Sequence, residues 1–118
     1  MKYVIIGNGV AGIDAAIAIR RNDSQGEITI ITRSAELHYY RPRIIEYLAD
    51  EVTMDKITMY KEEFYRDRNI VNVLGRKVVK ILPDRHEIID DRGAGYPYDR
   101  LLIAAGGYSF MPPVAGSD

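Results

Sequence analysis

The chain has 118 residues, with 16 basic and 17 acidic side chains and no cysteine. That length holds one domain or less and is short for most two-substrate enzymes, and the balanced charge, without a long run of one sign, gives no nucleic-acid arm, polybasic membrane patch or acidic tail. The missing thiols exclude disulfides, thiolate metal sites, cysteine nucleophiles and redox-active dithiols together.

Residues 2–6, "KYVII", are a continuous, largely β-branched run of the kind a parallel strand buried on both faces shows. Across 10–21 the small and apolar residues Ala11, Ile13, Ala15, Ala16, Ile17, Ala18 and Ile19 suit a helix lying close on a sheet. Turn chemistry at 22–26 leads to "EITIIT" at 27–32, a second strand, so the first thirty residues or so read as a βαβ unit with a right-handed crossover. The stretch 33–69 is less regular. A short helix is expected after Arg41, with Pro42 in its first turn, and another over 61–68 with Phe64 and Tyr65 as its buried points. From Val71 the period becomes that of strands: "VNVL", "KVVKIL" and "HEIID", punctuated by Gly75 and Pro83-Asp84, form a meander. After a Gly-rich turn at 91–95, residues 101–105 read as another strand buried on both faces. No apolar run approaches the roughly 20 residues that cross a bilayer. With the first strand opening at residue 2 or 3, no signal peptide is expected and the cytoplasm is the expected location.

Gly7-x-Gly9-x-x-Gly12 stands directly between the first strand and the first helix, the context in which this pattern carries a mechanism. In the dinucleotide reading, Gly7 allows a tight turn and Gly9 lets the backbone approach a pyrophosphate. Gly12 lets the helix lie near the strand, and the helix N-terminus, with Val10 and Ala11 in its first turn, offers free amides and partial positive charge. The plainer alternative is a strand-to-helix turn that needs positive φ. Most such units place an acidic side chain about 20 residues further on, at the end of the second strand, for ribose hydroxyls. Here that end reads Thr32-Arg33-Ser34. Arg33 has three roles open to it: facing a 2′-phosphate, lying over an adenine, or pointing to solvent.

The segments "YVIIGNGVAGIDAAIAIR", "ITIIT", "YYRPRIIEYLA", "EEFYRDRNIVNVLGRKVVKI" and "YDRLLIAAGG" followed by "PPVAG" together resemble the N-terminal FAD-binding part of pyridine nucleotide-dependent flavoprotein oxidoreductases. The branch they are most similar to is that of NADH:rubredoxin reductase, NADH oxidase and the nitrite reductase large subunit. The resemblance covers essentially the whole chain. It implies an α/β fold, a Rossmann-like parallel sheet with an antiparallel β-meander, and an FAD cofactor reduced by NAD(P)H. Electrons would pass to a small redox protein such as rubredoxin or ferredoxin, or to oxygen. It also implies that Gly7, Gly9 and Gly12 contact the FAD pyrophosphate and that Arg41 and Pro42 lie beside the isoalloxazine. By the same resemblance, the backbone at Val78 meets adenine, and Ala104, Ala105 and Gly106 close over the ADP half.

The chain departs from that pattern at Arg33, where the family has an acidic residue, and at Ala105, where it has threonine; Glu46 replaces a lysine that some members place near the flavin. The chain also ends where the resembled family continues into a nicotinamide domain. Residues 1–118 are therefore expected to be a single, partial FAD-binding domain ending at that linker, inactive alone, with a sheet edge left open. An open edge invites pairing, so a homodimer is the expected repair.

Other chemistries find little support. His38 and His86 have no partner at metal spacing, so no metal site is expected. Asp90-Asp91 and Glu62-Glu63 read as solvated charge, and Ser109 lacks a nucleophile-elbow context. Two readings of function remain: the flavoprotein portion, and a non-catalytic nucleotide-binding or self-associating module in which Arg33 reads a 2′-phosphate.

Overall fold

The computed structural model of the protein describes residues 1–34, 48–50 and 60–106. Strand β1, Lys2–Ile6, leads through the glycine turn into helix α1, Val10–Asn22, and then into β2, Glu27–Ile31. A one-and-a-half-turn helix α2, Glu62–Asp67, precedes β3, Ile70–Val73. Strands β4, Val78–Leu82, β5, Glu87–Asp90, and β6, Gly95–Pro97, follow, with a 3-10 turn at Pro83–Arg85. The last described strand is β7, Arg100–Ile103.

Two sheets result. The parallel sheet has the order β3-β2-β1-β7, and β4-β5-β6 form an antiparallel sheet. The expected meander thus begins later than the sequence period suggested, because the "VNV" strand joins the parallel sheet beside β2, with Ile30 opposite Asn72. Continuous isoleucine runs in β1 and β2 let both faces of the parallel sheet be covered, as parallel sheets require. On one face Ile5, Ile28, Ile30 and Ile70 pack against Ile13 and Ala16 of α1 and Tyr65 of α2. On the other, Val4 and Ile31 meet Ile88 of β5, flanked by Val78, Tyr96 and Tyr98. Each fully buried isoleucine contributes about 1.5–3 kcal/mol of transfer free energy, so β1 and β2, which supply four of them, anchor the domain.

The return to β7 is held by Asp99, whose amide donates to the Lys2 carbonyl at 2.8 Å and whose carboxylate accepts from the Lys2 amide at 2.6 Å. The expected two-face burial of residues 101–105 is not observed: β7 ends at Ile103, and Leu102 and Ile103 are 39% and 61% exposed. The reason is position. β7 pairs with β1 on one side and has no strand on its other side among the described residues.

At the far end of α1, Asp23 caps the helix and closes the turn. Its carboxylate accepts from the amides of Gln25 and Gly26 and from the Tyr3 hydroxyl. These bonds, that of the Tyr3 hydroxyl first, hold the Asp23 carboxyl below its ordinary range, against the upward push of burial. Arg20 in the last turn reaches the carbonyls of Arg68 and Asn69, tying α1 to the end of α2.

Candidate functional site

All four parallel strands end at one edge of their sheet, and the chain reverses direction about β1: α1 carries it to β2 on one side, while the meander returns it to β7 on the other. In open α/β sheets a crevice for ligands lies outside the carboxyl ends of the strands at such a switch point. The glycine turn occupies it. Gly7 has φ +104, and its amide donates to the Ile31 carbonyl at 2.8 Å. A Cβ there would overlap the carbonyl of Ala104, and one on Gly12 would overlap the carbonyl of Gly7 and touch Ile5. Gly7 and Gly12 are therefore glycines for packing: β7, β1 and α1 converge too closely for side chains.

Gly9 differs from both. It is the N-cap of α1, with an extended backbone that any residue can adopt (φ −87, ψ −165), and a Cβ added to it would meet nothing within 4 Å. Neither conformation nor internal packing of the described residues requires glycine there. The first helical hydrogen bond runs from the Ile13 amide to the Gly9 carbonyl at 3.0 Å. The amides of Val10, Ala11 and Gly12 precede it and have no acceptor among the described residues; no side chain caps the helix and its first turn has no acidic residue. An uncapped, unneutralised N-terminus presents donors and the positive end of the helix dipole outward, which suits an anion.

The structure brings Ala104 and Ala105 to the same place. The Ala104 amide donates to the Ile6 carbonyl at 2.8 Å, and the Ala105 backbone lies against Gly7. Gly106, with φ +70, follows them. Arg33 stands exposed just past β2. Val78 opens β4, an edge strand of the antiparallel sheet, and packs on the Val4, Ile31 and Ile88 cluster. The amides of Gly75 and Arg76 donate to the carbonyls of Ser34 and Thr32, so the approach to Val78 is bound to the end of β2. Arg41 and Pro42, with His38 and Ser109, lie outside the described residues.

Sequence reasoning missed two features. Asp90, read as a solvated charge, is 1% exposed. Its carboxylate accepts from the Tyr96 hydroxyl (2.8 Å), the Arg92 and Ala94 amides and Arg76 (3.3 Å). The signal was available: Asp90 is the inward residue of an alternating strand and stands before a Gly-containing turn whose amides a carboxylate can collect. The second feature is Asn8, inside the glycine motif but not one of its glycines, which is 8% exposed and bonded to Tyr65 and Asn72. No periodicity announces that contact, because it joins a loop to residues more than fifty positions away. Among the described residues no three His, Asp or Glu side chains gather as metal ligands, and no helix is long and apolar enough to cross a membrane.

The chain is similar to the ferredoxin–NAD(+) reductase component of the p-cumate 2,3-dioxygenase system of Pseudomonas putida, with 39% identity over 106 residues, which are 89% of this chain and 26% of that protein. Among solved structures it is similar to putidaredoxin reductase in its covalent complex with putidaredoxin. There the TM-score is 0.86 at 30% identity, over 98% of this chain and 28% of the other. NADH:rubredoxin oxidoreductase of Clostridium acetobutylicum matches with a TM-score of 0.80 and 29% identity, over 94% of this chain and 30% of the other. The chain thus spans between a quarter and a third of the length of these relatives. A family model described as pyridine nucleotide-disulphide oxidoreductase matches residues 1–118, the whole chain, and the protein belongs to that family.

Proposed function

We propose that this chain is the FAD-binding portion of an NAD(P)H-dependent flavoprotein oxidoreductase that passes electrons to a small iron–sulfur or rubredoxin-type protein or to oxygen. The observation that carries the reading is the N-terminus of α1, where among the described residues three amides have no acceptor, beside a glycine whose missing side chain leaves open space. These residues fit the diphosphate of a dinucleotide. The names of the relatives, reductases of a dioxygenase system, of putidaredoxin and of rubredoxin, supply the direction of electron flow. A cytoplasmic location goes with that reading, where reduced pyridine nucleotides are available.

Bound FAD supplies an electron-accepting ring; this chain supplies position and electrostatics. Gly7 sets the turn, Gly9 keeps the approach open, and the Val10, Ala11 and Gly12 amides would donate to phosphate oxygens. Ala104, Ala105 and Gly106 would help hold the ADP half, and the backbone at Val78 would be available to adenine. Arg41 and Pro42 belong on the flavin side in this reading. With Arg33 rather than an acidic residue directly after Thr32 at the end of β2, Arg33 would lie over the adenine face, and Ser34 or Glu36 would be left to meet the ribose.

The single glycine fingerprint accommodates one dinucleotide, so the 118-residue chain by itself is expected to bind FAD without NADH-dependent diaphorase turnover. Equilibrium dialysis against FAD, ADP, NAD and NADP tests this. Retention of FAD and ADP supports the reading; retention of none of them overturns it. A preference for NADP over ADP and FAD would favour the second reading, a non-catalytic nucleotide module in which exposed Arg33 reads a 2′-phosphate.

A further inference from the structure

Asn8 sits between the first two glycines of the turn, yet its side chain is buried. Its Nδ2 donates to the Tyr65 hydroxyl of α2 at 3.2 Å and to Asn72 Oδ1 of β3 at 3.3 Å. Its Oδ1 is buried with no hydrogen-bond partner among the described residues. Burying an amide with half its hydrogen-bonding capacity unmet is costly, and a small apolar side chain would avoid the cost. Fold alone gives no account of this choice, since α2 is already packed on the sheet through Tyr65 and β3 is already paired with β2.

The backbone bonds around the turn supply the account. The Gly7 amide is fixed to Ile31, and the next anchored point is the Gly9 carbonyl, which accepts from Ile13. Glycines flank Asn8 on both sides, and glycine carries the largest backbone freedom of any residue. The Asn8 side chain ties this stretch to two other elements, and the tether ends immediately before the amides of Val10, Ala11 and Gly12, which have no acceptor among the described residues.

We propose that Asn8, Tyr65 and Asn72 are positioning residues that clamp the glycine turn, so that the α1 amides meet a diphosphate already oriented. The inference rests on the proposed diphosphate site. A turn ordered beforehand loses less conformational entropy on binding, and the gain appears as affinity. The clamp also couples the site to the outer strand of the sheet, since Asn72 lies opposite Ile30, which in turn lies opposite Ile5.

The test uses the 118-residue chain and ADP as probe, with Asn8→Ala and Tyr65→Phe. Calorimetric titration gives affinity, and 15N order parameters of the unliganded protein give backbone mobility at residues 9–12 against Ile5 and Ile30. The clamp predicts that both variants bind ADP roughly three- to tenfold more weakly, the yield of one neutral hydrogen bond. It further predicts lower order parameters at residues 9–12 with those of Ile5 and Ile30 unchanged, a pattern that general destabilisation would not give. Tyr65→Phe keeps the ring in the core and carries the test should Asn8→Ala not fold. Wild-type protein that binds ADP while the variants bind equally well overturns the clamp alone. A loss of order at Ile5 and Ile30 matching that at the turn also overturns it. Wild-type protein that binds neither ADP nor FAD overturns the diphosphate site and the clamp with it.

Discussion

The carbonyl of Gly7 fills the space that a side-chain carbon on Gly12 would need. The turn after β1 and the first turn of α1 are pressed together at backbone distance, and no flexible side chain can yield to relieve an added methyl. Gly12→Ala is expected to cost about 1–3 kcal/mol, the usual range for overpacking a tight interior. Gly7→Ala is expected to cost at least as much, because it adds strain at φ +104 to a clash with the Ala104 carbonyl. Denaturant midpoints of the two variants check this; wild-type midpoints would show that the helix can retreat from the strand.

Much of this architecture was legible because the signals are local. Three glycines between a β-branched run and an alanine-rich helix fix β1, the turn and α1 within a residue of the expected bounds, and "EITII" marks β2. What escaped notice depends on neighbours distant in sequence. The strand period at Val71 reads as the start of the meander, yet that strand belongs beside β2. The apolar Leu101–Leu102–Ile103 run reads as buried on both faces, but that burial needs a covering layer on each face, and among the described residues the two core clusters reach only Leu101 of this edge strand. Asn8 is buried by partners more than fifty positions away, which periodicity does not report, whereas the inward position of Asp90 follows from strand alternation and from the turn amides after it.

Asp90 makes the acid stability of the chain predictable in sign. Burial alone would raise its pKa, but the Tyr96 hydroxyl, the Ala94 and Arg92 amides and the Arg76 guanidinium outweigh that push, leaving the carboxyl below the ordinary 3.8. A folded-state value below the unfolded one means that the unfolded chain takes up the proton first. The stabilisation is therefore present above 3.8 and is lost as pH falls through the lower folded value. Asp90→Asn should unfold at lower urea than wild type at neutral pH and lose less stability on acidification below 3.8. An acid limb identical to that of wild type would contradict this.

The outer side of β7 gives a prediction about association. Leu102 and Ile103 project from a strand with one open edge among the described residues, and open apolar edges recruit other strands. The 118-residue chain should self-associate with rising concentration in analytical ultracentrifugation. Ile103→Lys should weaken that association by roughly tenfold or more, the equivalent of one lost isoleucine burial. A wild-type chain that stays monomeric across the series would rule out the edge as a self-association surface.

The most direct measurement is ADP affinity and stability of Gly9→Ala side by side. Position 9 has an extended backbone and, among the described residues, empty space where a Cβ would go; alanine is a poorer N-cap than glycine but also narrows the unfolded ensemble, so the variant should keep the wild-type stability within about 1 kcal/mol. If that space is where a diphosphate meets the α1 amides, the added methyl should disturb a charge-assisted hydrogen bond and weaken ADP binding by roughly ten- to a hundredfold. Unchanged affinity in a stable Gly9→Ala protein would contradict the assignment of the glycine turn as the nucleotide site.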